Sequence, residues 1–353
     1  MDANFILISR LHNQLLINPE IENPKDIVSW MGAIQAQDFN MGKWAVGSRL
    51  RKTTDKEIES AINSGDIIRL HILRPTWHFV SKDDIHWMLD LSTPRLKVIG
   101  RSADKYFGFT SESITKTNLL LTSILENEPN LTRQEIGVRL VDRGVAVDNQ
   151  SINHIMFHAE LDGIVCNGIV KNKKQTYDLL ENRAPKKEKY NKDESLYKLA
   201  YKYFRSHGPA TLQDFIWWSG LTTSEAKRGV ESIKDEFITE VIDGQAFIFH
   251  NSNLNHQLDD DMVHLLPAFD ELFVSYKDRK EILDLEHHKK VIVSNGVFKP
   301  TVFYNGKIIG IWNRIVRKNR VFGEVSCFKE PTKRVQKLID QALLDYDKYM
   351  NVF

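Results

Sequence analysis

Residues 195–249 read SLYKLAYKYFRSHGPATLQDFIWWSGLTTSEAKRGVESIKDEF followed by ITEVIDGQAFIF. The first part predicts three helices, divided at Gly208-Pro209 and at Gly220, two dipeptide and glycine stops that helices rarely run through. Thr222 and Glu225 have the three-residue spacing of a capping box, in which each side chain satisfies the other's backbone N–H. The β-rich run that follows turns on Asp243-Gly244, a pair suited to the left-handed conformations of a tight hairpin. Three helices closed by a hairpin are the outline of a winged helix, a helix-turn-helix carrying a β-ribbon wing.

The same order of elements recurs twice upstream. Residues 117–144 and 149–163 predict helices, with a second capping box at Thr132 and Glu135 and a stop at Gly144, and residues 164–179 predict a hairpin turning on Asn167-Gly168. Before them, PKDIVSWMGAIQAQ (24–37) and NMGKWAVGSRLR (40–51) read as helical. A third capping box, Thr54 with Glu57, opens another helix, and residues 66–80 give two β-rich runs that turn near Arg74-Pro75. After residue 262 alternating strands take over, with Asn305-Gly306 as a hairpin turn and a terminal helix over 331–350. The expected fold is therefore α+β. Tandem winged-helix units span 1–110, 111–190 and 191–256, with a β-rich module and its helix over 257–353. The basic stretch 181–195, ENRAPKKEKYNKDES, fits an exposed linker between the second and third units.

Bulk properties narrow the function less than the pattern does. The 353 residues are 42% hydrophobic and 27% charged, which is ordinary for globular chains and excludes wholesale disorder. With 48 basic against 47 acidic residues the net charge is +1, so any nucleic acid must be gripped by local patches. Cys166 and Cys327 are far apart and in no metal spacing, as expected of a reducing compartment. The N-terminal MDANFILISRLHNQ has no signal-peptide pattern, and no apolar run approaches the roughly 18 residues of a membrane helix. These features predict a soluble cytoplasmic protein. No G-x-G-x-x-G, P-loop or G-x-S-x-G is present, which leaves nucleotide-cofactor and serine-hydrolase readings without support.

Four groups of residues carry side chains suited to chemistry or binding. Gln35 and Gln37, two apart at the end of an apolar segment, cannot titrate, but their carbonyl oxygens accept from a water and their amides donate to a substrate oxygen. Such a pair suffices where the leaving group is already good. A purine alkylated at N7 is such a group, because it is cationic and departs with little acid help. Helix caps or surface residues are the plainer reading of the same two glutamines.

The 66–80 hairpin carries Arg69, His71, Arg74, Thr76, Trp77 and His78, which on a wing would face phosphates or a minor groove. Alternation puts Trp77 and Phe79 on one face and Thr76 and His78 on the other, so a half-buried hairpin fits equally well. Residues 314–337 hold eight basic side chains, Arg314 and Arg317 among them, against Glu324 and Glu330. That is either a phosphate-neutralising patch or a solvated face. His154 and His158, at i and i+4, share a helix face, but the sequence supplies no evident third ligand, and no metal site is expected.

Four segments in order, WMGAIQAQD (30–38), LRPTWHFV (73–80), LLPAFDELFVSYKDR (265–279) and GKIIGIWNR (306–314), resemble the winged-helix family of AlkZ-type DNA glycosylases. The resemblance covers nearly the whole chain. It implies three winged-helix units with a β-rich C-terminal part, excision of N7-alkylated purines, and in some members unhooking of interstrand crosslinks. The family's Gln-x-Gln signature, which is Gln-x-Asp in a sister branch, falls on Gln35 and Gln37. The expectation is a monomeric, monofunctional glycosylase acting on double-stranded DNA with alkylated purines, without metal or organic cofactor. Charge and expected exposure, and not the resemblance, nominate Arg69, His71, Arg74, Thr76, His78, Arg314 and Arg317 as its DNA-facing residues. The rival is a non-catalytic winged-helix regulator that binds DNA and releases no base.

Overall fold

The computed structural model describes residues 2–186, 189–250, 261–293, 296–318 and 320–351. The expected boundary at 256–257, and Lys187 and Glu188 of the basic stretch, lie outside them. The fold mixes helices with short antiparallel sheets, as the α+β reading anticipated. No helix among the described residues is long and apolar enough to cross a membrane.

Helices α1 (Ala3–Asn13) and α2 (Pro24–Met31) come first, and Asn23 caps α2 by accepting the Lys25 N–H. The run over 24–37 is not one helix. It stops at Gly32, whose φ of +77° strains any residue with a Cβ, and the chain continues extended as β1 (Ile34–Gln35). Gln35 therefore lies on a strand, with Gln37 just beyond it. Asp38 caps α3 (Phe39–Gly47), accepting the Met41 N–H at 3.0 Å, and the Thr54–Glu57 box opens α4 (Asp55–Asn63). Buried Lys43 of α3 donates to Asp55 and Glu59, which ties the two helices together.

Strands β2 (Ile67–Ile72) and β3 (Arg74–Ser81) form an antiparallel hairpin, and β1 adds to it in the order β1-β3-β2, with Gln35 opposite His78. This hairpin is not a free wing. All six residues of β2 are buried, and the turn residue Leu73, at φ +59°, is buried too, its N–H donating to Ser92 Oγ at 3.2 Å. Helix α5 (Ile85–Phe107), to which Ser92 belongs, packs on both strands, so the hairpin sits inside the molecule.

The second unit comprises α6 (Ser111–Asn127), α7 (Arg133–Val141), α8 (Ser151–Leu161) and strands β4 (Val165–Asn167) and β5 (Tyr177–Leu179). Asn167-Gly168 is not its turn. Asn167 is still paired with Tyr177, and the chain reverses at Asn172 and Lys173, both at positive φ, between mutually bonded Lys171 and Lys174. Most described residues of 181–195 are exposed, as expected of the linker, but its start is tied down. The short helix α9 (Leu180–Arg183) ends in Arg183, whose guanidinium donates to the carbonyls of Ile62 and Asn63, and Ala184 is buried.

The third unit follows its sequence closely. α10 (Lys192–His207), α11 (Leu212–Ser219) and α12 (Thr223–Ser232) break at Gly208-Pro209 and Gly220, and Thr222 and Glu225 close their capping box. β6 (Phe237–Ile242) and β7 (Gln245–His250) turn on Asp243-Gly244. In the C-terminal part, β8 (Val263–Leu266), β9 (Thr301–Tyr304), β10 (Lys307–Arg317) and β11 (Arg320–Cys327) form one sheet ordered β11-β10-β9-β8, with Asn305-Gly306 joining β9 to β10. Short helices α13 (Glu271–Val274) and α14 (His288–Val291) interrupt it, and α15 (Lys333–Asn351) ends the chain.

The apolar cores run across the expected boundaries. One joins Ile68, Leu70 and Ile72 of the first hairpin to Leu199, Tyr203, Phe215 and Trp218 of the third unit. Another joins Ile34 and Phe79 to Trp312, Ile339 and Tyr346 of the C-terminal part. The second unit alone keeps a core of its own, around Leu121, Ile136, Ile155 and Val165. The three-stranded sheet bearing Gln35 is thus held between the third unit and the C-terminal module.

Candidate functional site

Gln35 ends strand β1, and Gln37 stands in the bend just beyond it. They differ sharply in exposure. Gln35 is 6% exposed, whereas Gln37 is open to solvent. Two long-range contacts hold Gln35. Its backbone N–H donates to Glu271 Oε1 at 2.6 Å, and its side-chain Oε1 accepts from the Arg74 guanidinium at 3.0 Å. With Oε1 committed to Arg74, the orientation of the amide is set, and its NH2 is turned away from Arg74. Gln37 is held more lightly, its Oε1 accepting the Trp77 N–H at 3.3 Å. Between them, the Ala36 N–H donates to the Trp77 carbonyl and the Ala36 carbonyl accepts from Arg69 Nε at 3.0 Å.

Glu271 organises the interior behind the pair. It is fully buried, and its second oxygen accepts from Trp218 Nε1 at 3.1 Å and from the Ser275 hydroxyl. His207 Nε2 stands 3.8 Å away, an ion-pair distance and not a hydrogen bond. Burial alone would raise the carboxyl's pKa. His207, the Arg74 charge and the Ser275 hydroxyl outweigh it and hold the group down to about 2. Burial pulls the Arg74 guanidinium below its ordinary value, and Glu271 opposes that. A buried anion and a half-buried cation therefore flank Gln35, and their charges offset one another.

The neighbouring Asp270 does something different. It caps α13 by accepting the Leu272 N–H and takes both guanidinium nitrogens of fully buried Arg49, at 2.8 and 2.9 Å. Adjacent carboxylates thus anchor two parts of the N-terminal unit, one through Arg49 and the other through Gln35.

The hairpin residues expected to face DNA are mostly turned inward. Arg69 is buried, spends its donors on Ala36, Gln175 and Gln37, and lies 4.8 Å over the Trp77 ring. His71 is buried with its Nδ1 2.5 Å from Glu160, and its ring packs on Trp77 and Phe157. His78 is completely buried, and its Nδ1 bonds the Thr76 carbonyl at 2.9 Å, so it has no surface to offer a phosphate. Burial, with the Arg74 charge adding to it, lowers the His78 pKa to about 3 and keeps the ring neutral. Arg74 and Thr76 are half-buried, with Arg74 engaged by Gln35. Burial raises the Tyr346 hydroxyl pKa, and half-buried Arg314 lies close enough to oppose that rise. Arg317 is exposed at the far end of β10, its guanidinium 5.6 Å from the Phe322 ring. The structure thus gathers Gln35, Gln37, Arg69 and Arg74 into one constellation, with Arg317 apart.

Sequence reasoning missed Glu271, Arg49 and Glu160. Glu271 left one readable signal, an ionisable residue embedded in the apolar run AFDELFV. The partners of Arg49 and Glu160 lie 221 and 89 residues away, and nothing local marks them.

The family model for "DNA glycosylase AlkZ-like" matches residues 28–349. An "Interstrand DNA cross-link repair glycosylase" of Streptomyces sahachiroi is 22% identical over 342 residues, covering 93% of this chain and 92% of its own. The solved structure of Streptomyces sahachiroi DNA glycosylase AlkZ superposes with a TM-score of 0.81 at 18% identity, over 99% of this chain and 96% of that one.

Proposed function

The chain belongs to the AlkZ-like family of DNA glycosylases, and on that premise we propose that it hydrolyses the N-glycosidic bond of N7-alkylated purines in duplex DNA, interstrand crosslinks among them. The name of its Streptomyces relative supports the crosslink substrate. One observation carries the reading. Two uncharged amides stand two residues apart, one at the end of β1 and one in the bend beyond it, and the inner one is clamped at its backbone by Glu271 and at its side chain by Arg74.

In this mechanism the amide oxygens of Gln35 and Gln37, each keeping a second lone pair beyond its contact with Arg74 or Trp77, accept hydrogen bonds from a water and aim it at C1′ of the damaged nucleotide. The alkylated base carries a positive charge, so the C1′–N9 electron pair leaves onto the ring and neutralises it without a general acid. The deoxyribosyl cation that develops faces amide dipoles, and the water oxygen adds to C1′ while its proton passes to solvent. The products are a neutral alkylpurine and an abasic site. No lysine is assigned as a nucleophile, so the strand stays intact. The chain acts as a monomer and needs no cofactor in this scheme.

The test is base release from duplex DNA containing 7-methylguanine, followed by chromatography of the free base beside Gln35→Ala and Gln37→Ala. Release by the wild type that drops sharply in both variants supports the assignment. Undiminished release in both moves the site elsewhere, and strand nicking without heat or base contradicts the monofunctional mechanism.

A further inference from the structure

Asp104, His154 and His158 form a cluster that the glycosidic reaction does not use. The two histidines stand one turn apart on α8 and face the same way. Helix α5 supplies the third group. At Gly100 the two helices come so close that a Cβ would stand 3.2 Å from the Phe157 ring and 3.6 Å from His154 Cε1. Asp104, one turn further along the same face of α5, reaches both rings. Its Oδ1 lies 2.6 Å from His154 Nε2 and 2.6 Å from His158 Nε2, and the two nitrogens are 3.2 Å apart.

We propose that these three side chains bind a divalent transition-metal ion of the zinc class, with His154 Nε2, His158 Nε2 and an Asp104 oxygen as ligands and water in the fourth position. Two nitrogens at tetrahedral zinc distance lie about 3.3 Å apart, close to the separation found here. Two imidazoles and one carboxylate are a donor set that zinc and ferrous ions take with a position left open. All three donor atoms already converge on one point, with Asp104 Oδ1 within hydrogen-bond distance of both Nε2 atoms, and an ion placed there would exchange those hydrogen bonds for coordination. The ligands are also preorganised. His154 is stacked between Phe109 and Phe157, and His158 stands edge-on to His154 and Phe157. Asp104, the most exposed of the three at 19%, can turn outward to admit the ion and its water.

The full chain, stripped with a chelator and dialysed, should take up one equivalent of Co2+ with the visible absorption of a four-coordinate site, and Zn2+ should bleach it. Zn2+ should raise the thermal midpoint where Mg2+ does not. Asp104→Asn, which keeps an acceptor for the rings and so spares the fold, should weaken Co2+ binding more than about 100-fold, beyond the 10–100-fold that loss of a supporting group costs. His158→Gln should do the same. No visible band with the wild type would overturn the site, as would equal binding by wild type and both variants.

Discussion

Glu271 accepts the backbone N–H of Gln35 at 2.6 Å across 236 residues of chain. The contact joins the C-terminal module to the strand that bears the proposed catalytic pair, and it does so with a fully buried carboxylate. Together with the ladder to β3 and the Ala36 N–H bond to the Trp77 carbonyl, it fixes the backbone at Gln35.

The two glutamines should fail in different ways. Gln37→Ala removes an exposed amide with one 3.3 Å contact, so thermal stability should hold while base release falls about 100-fold through loss of water positioning. Gln35→Ala also strands the Arg74 guanidinium, and should cost about 1–3 kcal/mol of stability in addition to activity. Urea unfolding alongside the release assay separates the two. Equal stability loss in both variants would contradict the difference in burial.

Glu271→Gln keeps the shape but removes the charge that balances Arg74, and it sets an amide NH2 among the donors of Trp218 and Ser275. We expect a loss of about 3 kcal/mol from the uncompensated buried charge. Base release, measured well below the unfolding midpoint, should fall along with it. A variant that is fully folded and fully active would remove Glu271 from the site.

Local chemistry explains which features could be read in advance. The capping boxes at Thr54, Thr132 and Thr222 and the turns at Asp243-Gly244 and Asn305-Gly306 rest on neighbours three residues apart or fewer, and each formed where its residues predicted. Reading failed where distant chain decided the outcome. The apolar run 24–37 has no local reason to leave the helix before Gln35 other than Gly32, and β3 captures it. Asn167-Gly168 has the composition of a turn, but Asn167 stays in the ladder, its side chain accepting the Arg69 N–H at 2.6 Å. Alternation along 66–80 suggested one exposed face, whereas α5 and α8 pack on β2 and His78 of β3 is fully buried. Gln35 and Gln37 were legible as a pair, but the partners that hold them were not.

Acid should destabilise the fold before most carboxylates titrate. Folded His78 stays neutral down to about 3, while the unfolded chain takes a proton below the ordinary value of 6.5. The unfolded state binds more protons in that window, so stability falls as pH drops from 6.5 toward 3, by about 1.4 kcal/mol per pH unit for this group. Glu271 acts lower. Its contribution is full above the ordinary 4.5 and is lost as pH falls toward its folded value of about 2. Urea midpoints near pH 7 and near pH 5 test the first window, and a level midpoint between them would contradict a neutral, buried His78.

Asp270 should prove structural where its neighbour is positional. Asp270→Ala leaves Arg49 charged in a site with no exposure, and should cost about 3–5 kcal/mol, far more than a surface ion pair. Replacing both partners with apolar residues, Arg49→Met with Asp270→Leu, removes the charge along with its counter-ion. That double variant should therefore recover most of the loss, minus the α13 cap that the Leu272 N–H forfeits. Base release should track stability in both variants, since neither side chain touches Gln35 or Gln37. If Asp270→Ala abolished release at full stability, the carboxylate would belong with the reacting groups and not with the scaffold.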